Sequence, residues 1–192
     1  MLGALRQLGG GKVLLLGYHR VLPTQTDRHA GDVELISATP EEFEWQMRYL
    51  SSHFEPVSFA QIAEALDGRG KLPKRAVAVT FDDGFYDVHA YALPILKRTG
   101  MTATVFVATD YVDNGGVFWF DYIAWVLRNV PSASLALPEE IRTLADDKSE
   151  AGKQRVSVAL LRLLKRYDEQ SRSAYVARIR AEFPLPADVS LG

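Results

Sequence analysis

AVAVTFDDG, at residues 76–84, is the stretch of this sequence that decides the fold. Its first six residues are apolar or β-branched, which predicts a strand buried on both faces, as in a parallel sheet. The strand leads directly into Asp82 and Asp83, and Gly84 then favours a turn. Active sites of parallel α/β folds form at the carboxyl ends of strands. Two adjacent carboxylates at this point therefore predict a site.

Two adjacent carboxylates repel each other when both are ionised, so a site that uses both must give them different roles. A divalent cation bound to one carboxylate offsets its charge, and the other carboxylate can then act as general base on a water molecule. The alternative is that Asp82 and Asp83 only start a turn and cap the next helix, since Asp-Gly is a common turn dipeptide. The pair by itself leaves both interpretations open.

The flanking sequence predicts alternating strands and helices. Further strands are predicted at Val13–Tyr18 and Thr102–Ala108, and a loop at Leu22–Ser37. Helices are predicted after two capping boxes, Thr39 with Glu42 and Ser58 with Gln61. We expect a third helix at Val88–Arg98, with Asp87 as its N-cap and Pro94 bending it. Short strand-helix-strand units of this kind predict a parallel sheet.

The pattern changes after Gly116, where helical stretches continue to the end of the chain without a strand signal. Four aromatic residues lie close together in the first of these helical stretches and have two interpretations. They are Trp119, Phe120, Tyr122 and Trp125. They could form a sugar-stacking surface, but their spacing covers more than one helix face and favours a buried core.

Composition excludes several kinds of site. The 192 residues include 47% hydrophobic and 24% charged residues, which is typical of a globular chain with a sizeable core. There is no cysteine, so disulfides, thiolate zinc sites and cysteine nucleophiles are excluded. A net charge of −2 gives no electrostatic basis for binding nucleic acid.

The N-terminal region carries one short apolar run, at residues 13–16, which is too short for a signal peptide or a membrane span. We read residues 1–12 as a short amphipathic lead-in to the first strand. On this pattern we expect a cytoplasmic protein without a transmembrane segment.

Several motifs in order resemble the polysaccharide deacetylase family, the NodB-homology group of carbohydrate esterase family four. TFDDG at residues 80–84 resembles its first motif, and GYHRV at residues 17–21 resembles the end of its first strand. The segments ISATPEEFEWQMRYL, YALPILKRTGMTATVFVAT and FWFDYIAWVL resemble later family segments. The resemblance covers about residues 13–130.

This resemblance implies a distorted (β/α) barrel that hydrolyses N-acetyl groups on an amino-sugar polymer. It implies that Asp82 is the general base and that Asp83 binds a divalent metal, usually zinc. Residues 1–116 would be the N-terminal part of the barrel, and residues 117–192 a helical insertion in the same domain. The partner implied is an acetylated amino-sugar glycan.

The sequence departs from the family at the rest of the metal site. The family completes that site with an H-x3-H pair after TFDDG, but His19, His29, His53 and His89 contain no such pair. A general-acid histidine motif is also not found. We therefore expect a truncated chain with an incomplete barrel, an incomplete zinc site and no activity as it stands.

His19 has two interpretations: it lines the pocket near the aspartates, or it is a packed histidine at a strand end. His29 is expected on the surface, and His53 beside the C-terminus of a helix. His89 is expected on the surface, with the alternative that it faces the site. Two further functions stay open. One is a non-catalytic carbohydrate-binding or assembly module. The other is a phosphotransfer domain, which would need Asp110 as an acceptor at the end of a central strand.

Overall fold

The structure is a computed structural model that describes residues 6–8, 11–23, 35–114, 116–131, 134–187 and 189. The strands within these ranges are β1 (Arg6–Leu8), β2 (Gly11–Tyr18), β3 (Arg20–Val21), β4 (Ile36–Ala38), β5 (Glu55–Pro56), β6 (Ala76–Phe81) and β7 (Ala103–Val105). The α-helices are α1 (Pro40–His53), α2 (Phe59–Leu66), α3 (Leu93–Thr99), α4 (Thr109–Asn114), α5 (Trp119–Asn129), α6 (Glu139–Arg142), α7 (Glu150–Arg166) and α8 (Glu169–Glu182). A π-helical turn at Val88–Ala92 leads into α3, and a 3₁₀ turn at Thr143–Asp146 follows α6.

The main sheet is built around β6. Strand β2 pairs in parallel along one edge of β6, from Val13 opposite Ala76 to Tyr18 opposite Phe81. Strands β5 and β7 are also parallel to β6 and share its other edge, β5 at the beginning and β7 at the end. Strand β1 adds to β2 in the antiparallel sense. The predicted parallel α/β arrangement is therefore present in the described residues.

Helices cover both faces of this sheet because its central strands are apolar on both sides. Phe43, Met47 and Leu50 of α1 join Val77, Val79 and Phe81 in one buried cluster, which also includes residues of α3. Ile62 of α2 packs with Val13, Val57, Ala76 and Ala78 in a second cluster. Tyr18, Phe43 and Phe81 form an aromatic group with ring centroids 5.1 to 5.6 Å apart.

Both predicted capping boxes are confirmed. The Thr39 side chain accepts from the Glu42 N–H, and the Glu42 carboxylate accepts from the Thr39 N–H. Ser58 and Gln61 make the same reciprocal pair at the start of α2. These contacts are local in sequence, which is why the residue pattern alone predicts them.

Two predicted boundaries are wrong. The strand predicted at Thr102–Ala108 is shorter, because β6 ends at Phe81 and only the Phe106 N–H continues the pairing, donating to the Phe81 carbonyl oxygen over 2.7 Å. The loop predicted at Leu22–Ser37 ends in strand β4, which pairs with β3. That pairing is made between segments distant in sequence, so no local period indicates it.

The described chain divides into two compact units, one ending at Asn114 and one beginning after it. In the second unit, α5 to α8 surround a hydrophobic core of buried side chains. This core includes Tyr122, Ile123, Leu127, Val156, Leu160, Leu161, Leu164 and Ile179. The Tyr122 hydroxyl donates to the Phe183 carbonyl oxygen over 2.7 Å. Trp119, Phe120 and Trp125 pack partly buried against the same core.

Candidate functional site

The candidate site lies where β2 and β6 end side by side. The last pair in the parallel register is Tyr18 with Phe81, so the residues that follow, His19 and Asp82, leave adjacent strand ends. The Asp82 N–H donates to the Tyr18 carbonyl oxygen over 2.9 Å. His19 Nε2 lies 4.0 Å from Asp82 Oδ2, and the two side chains are 41% and 48% exposed. The site therefore joins an imidazole and a carboxylate that both reach solvent.

A tight turn sets the direction of Asp83. The Gly84 N–H donates to the Asp82 carbonyl oxygen over 2.9 Å, and Asp83 between them has a φ of 71°. This is a γ-turn with positive φ, the rarer and more strained kind. Among the described residues other than glycine, Asp83 alone has a positive φ. Strain of this kind is concentrated at functional sites, where the surrounding structure maintains it.

Gly84 extends the unusual backbone. Its φ is +79°, and a Cβ at this position would lie 3.1 Å from Val107 Cγ1. Val107 comes to this point because β7 pairs with the last residues of β6. Glycine therefore meets two requirements here, a left-handed backbone and space for Val107.

The electrostatics of the pair distinguish Asp83 from its neighbour. Partial burial raises the pKa of the Asp83 carboxyl, and the negative charge of Asp82 raises it further, while His19 acts in the opposite direction. Desolvation and a like charge both disfavour ionisation of a carboxyl. Such an environment favours a proton or a cation on Asp83.

Asp87 is not the helix cap that the sequence pattern predicts. Its side chain makes no capping hydrogen bond. Instead the buried carboxylate accepts from Arg20 Nε over 2.8 Å and from the Val21 N–H over 3.0 Å. Arg20 is equally buried, and its guanidinium lies 4.2 Å from the centre of the Phe85 ring. Sequence reasoning gives Asp87 only the role of a helix cap and gives Arg20 no role of its own, although Arg20 lies within GYHRV and Asp87 three residues after Gly84.

The remaining histidines have other locations. His53 ends α1, where its Nδ1 lies 2.8 Å from the Tyr49 carbonyl oxygen and its ring stacks on Tyr49. His89 is exposed in the π-helical turn. His29 lies outside the described residues. Asp110 is on α4, beyond the end of β7, and not at the end of a central strand as the phosphotransfer hypothesis requires.

The residues present do not fit a complete zinc site. In the described part of the chain, no group of three or more histidine, aspartate or glutamate side chains is placed to hold a metal ion. Structural and catalytic zinc sites use at least three protein ligands. Asp82, Asp83 and His19 thus supply part of a donor set.

An apolar groove of about 480 Å³ has Gly84 as part of its wall. Its walls include Phe85, Val88, Val105 and Val107.

No helix in the described ranges is long and apolar enough to cross a bilayer.

Comparison with known proteins decides the family. The family model described as polysaccharide deacetylase matches residues 69–173, which is more than half of the chain. The chain belongs to the polysaccharide deacetylase family. The sequence-based resemblance to this family is therefore confirmed, and the matched range includes TFDDG.

Two relatives with similar sequences are longer than this chain. It is 31% identical over 120 residues to the poly-beta-1,6-N-acetyl-D-glucosamine N-deacetylase of Staphylococcus aureus (strain N315), covering 58% of this chain and 41% of that protein. It is 37% identical over 98 residues to the Escherichia coli (strain K12) protein of the same name, covering 51% of this chain and 14% of that protein. The chain thus spans about two fifths of the first relative and a smaller share of the second.

Solved structures of deacetylases also match. The structure of IcaB from Ammonifex degensii aligns with a TM-score of 0.43 and 34% identity, covering 53% of this chain and 40% of that chain. The Streptococcus pyogenes deacetylase PplD in complex with acetate aligns with a TM-score of 0.46 and 18% identity, covering 76% of this chain and 79% of that chain.

Proposed function

We propose that this chain is part of a hydrolase that removes N-acetyl groups from an amino-sugar polymer. Family membership supports the reaction class, and the names of the two relatives point to a β-1,6-linked N-acetylglucosamine polymer as the substrate. The observation that carries the proposal is the parallel register of β2 and β6, because it brings His19 and Asp82 together beside Asp83.

In this proposal Asp82 is the general base. Its half-exposed carboxylate accepts a proton from a water molecule whose oxygen attacks the carbonyl carbon of the acetyl group. The bond between that carbon and the sugar nitrogen then breaks, giving acetate and an amine. The departing nitrogen needs a proton, and His19 is the second group at the site that can transfer one.

Asp83 is the proposed metal carboxylate. A divalent cation, in most family members zinc, would meet at Asp83 a carboxyl whose proton affinity is already raised by burial and by Asp82. The two histidines with which the family completes the set have no H-x3-H counterpart in this sequence. In the proposed organisation, residues 1–116 are the N-terminal part of a (β/α) barrel and residues 117–192 are a helical insertion in the same domain.

The test is release of acetate from a β-1,6-linked N-acetylglucosamine oligomer by the full chain with added zinc. The sequence pattern predicts no activity for the chain as it stands, but the approach of His19 to Asp82 beside Asp83 leads us to expect slow release from this partial ligand set. Asp82→Asn should lower the rate by roughly a hundredfold or more, since general acid–base catalysis contributes about 10²–10⁴-fold. Asp110→Asn is the matched control, since it makes the same substitution on α4, and should leave the rate unchanged.

A second candidate, a non-catalytic carbohydrate-binding module, is favoured by the missing H-x3-H pair. If the wild-type chain releases no acetate above the blank, this result would contradict the hydrolase proposal. If the oligomer then still shifts the NMR resonances of His19 and Asp82, the binding module is the better account.

A further inference from the structure

Arg20 and Asp87 form a buried ion pair next to the candidate site. Both side chains are about 95% buried, and Arg20 Nε lies 2.8 Å from Asp87 Oδ2. The other carboxylate oxygen of Asp87 accepts from the Val21 N–H over 3.0 Å. The Phe85 ring lies under the guanidinium at 4.2 Å. Asp87 therefore holds both the side chain of Arg20 and the backbone of the next residue.

The pair connects two segments at the point where the sheet can no longer do so. Residue pairing between β2 and β6 ends at Tyr18 and Phe81, and one further hydrogen bond joins Asp82 to Tyr18. Beyond it, Arg20 immediately follows His19, and Asp87 lies in the segment that leaves the TFDDG turn. The ion pair therefore links the backbone that carries His19 to the segment that leaves the aspartates.

His19 lies in the bend between β2 and β3, where the chain turns from Tyr18 to Arg20. Arg20 points into the interior toward Asp87, whereas the His19 side chain is 41% exposed and lies 4.0 Å from Asp82 Oδ2. Because the Val21 N–H also donates to Asp87, the carboxylate of Asp87 holds the backbone that leaves this bend. Loss of the Asp87 carboxylate would remove both contacts from that side of the bend.

Stability alone is a weak reason for such a pair. Desolvation of two charges offsets much of their attraction, and apolar replacements of similar volume are often neutral or stabilising. Two hydrogen bonds to one buried carboxylate instead define a geometry. A proton-transfer site requires a fixed placement of the groups that accept and donate the protons.

We propose that Arg20 and Asp87 are positioning residues that hold His19 against Asp82. This inference rests on the proposed function for its catalytic consequence, but the placement of His19 can be measured without turnover. The first measurement is the change in the NMR resonance of the His19 ring caused by Asp82→Asn at one fixed pH. It is made in the wild-type background and again in the background of each pair variant.

Two pair variants are used. Asp87→Asn keeps the oxygen that accepts from the Val21 N–H but leaves the Arg20 charge without its buried counterpart. The double variant Arg20→Met with Asp87→Asn removes both charges of the pair, so it carries the test if the single variant does not fold. Asp67→Asn is the matched control, because Asp67 pairs with Arg69 in an exposed ion pair.

In the wild-type and Asp67→Asn backgrounds, Asp82→Asn should shift the His19 resonance by the same amount. In the folded double variant, the change in the His19 resonance caused by Asp82→Asn should be at least twofold smaller. If this change is undiminished in the folded double variant, the inference is overturned, whatever the activity. In acetate release, measured well below the unfolding temperature of each variant, the pair variants should lose at least tenfold in kcat with KM within about twofold.

The two proposals fail separately. If wild-type chain releases no acetate but the His19 response depends on the pair, the positioning inference holds and the proposed function fails. If acetate release depends on Asp82 but both kcat and the His19 response are unchanged in the pair variants, the positioning inference fails alone.

Discussion

The N–H of Asp82 donates to the carbonyl oxygen of Tyr18 over 2.9 Å, so the contact between β2 and β6 continues past the last residue of each strand. This bond fixes the first aspartate of the pair relative to the strand end that leads into His19. Because it is a backbone bond, side-chain substitutions at His19 and Asp82 should leave it in place. Those substitutions are therefore suited to testing how the two side chains act together.

We expect His19→Ala and Asp82→Asn to be non-additive in acetate release. Each single substitution should lower the rate of acetate release at least tenfold. The rate of the double variant should be no more than about twofold below that of the less active single variant, because the loss of one member already removes the effect of two groups that act as one unit. His89→Ala is the matched control, because His89 is exposed in the π-helical turn. Fully multiplicative losses would show that the two side chains act independently.

Asp83→Asn should stabilise the fold at neutral pH. The folded-state pKa of Asp83 is raised above its ordinary value of 3.8, mainly by burial. Between these two values the folded chain binds more protons than the unfolded chain, so stability falls as pH rises through that window. Asparagine has no charge to desolvate and also tolerates a positive φ well.

The measurement is the thermal unfolding midpoint of both proteins at pH 7 and at pH 3. Asp83→Asn should have the higher midpoint at pH 7, and the advantage should shrink at pH 3, where the carboxyl is protonated in both states. The low-pH measurement is the internal control. An advantage of the same size at both pH values would show that desolvation of the Asp83 charge has no part in it.

Gly84→Ala should be more destabilising than Gly100→Ala. Both glycines have a positive φ, +79° and +68°, so each alanine has a backbone cost of about 1–2 kcal/mol. At Gly84 the new Cβ would also lie 3.1 Å from Val107 Cγ1, whereas at Gly100 nothing lies within 4 Å. Chemical denaturation of both variants measures the difference.

Adding Val107→Ala to Gly84→Ala separates the two causes. The second substitution removes the two Cγ atoms of Val107, which the new Cβ would meet most closely. Val107→Ala should therefore destabilise the Gly84→Ala variant less than it destabilises the wild type. Equal destabilisation by Gly84→Ala and Gly100→Ala would mean that the Val107 contact relaxes without cost.

Thr39→Ala should destabilise the first unit by about 1 kcal/mol, because it removes the side-chain oxygen that accepts from the Glu42 N–H. Thr39→Ser keeps that oxygen and should cost much less. Urea unfolding gives both values. The response of the His19 resonance to Asp82→Asn should be the same in either variant, since the cap stabilises α1 without contacting the site.

Local features of the fold follow from the sequence because the groups that make them are close along the chain. Strand β6 has the predicted bounds, and both capping boxes form between residues three positions apart. The adjacency of Asp82 and Asp83 after an apolar strand also needs no tertiary information. These features, with the ordered family motifs, were sufficient to predict the α/β class and the family.

The tertiary structure decided the features that depend on segments far apart. Asp87 has the sequence context of a helix cap, but its carboxylate pairs with Arg20, 67 residues earlier, because burial of both charges requires each to have a partner. Strand β4 exists because β3 lies beside it, and the 4.0 Å approach of His19 to Asp82 exists because two strands share a register. The sequence by itself determined which chemical groups are present and the conformation of the backbone near each of them. Long-range packing determined which of these groups come into contact.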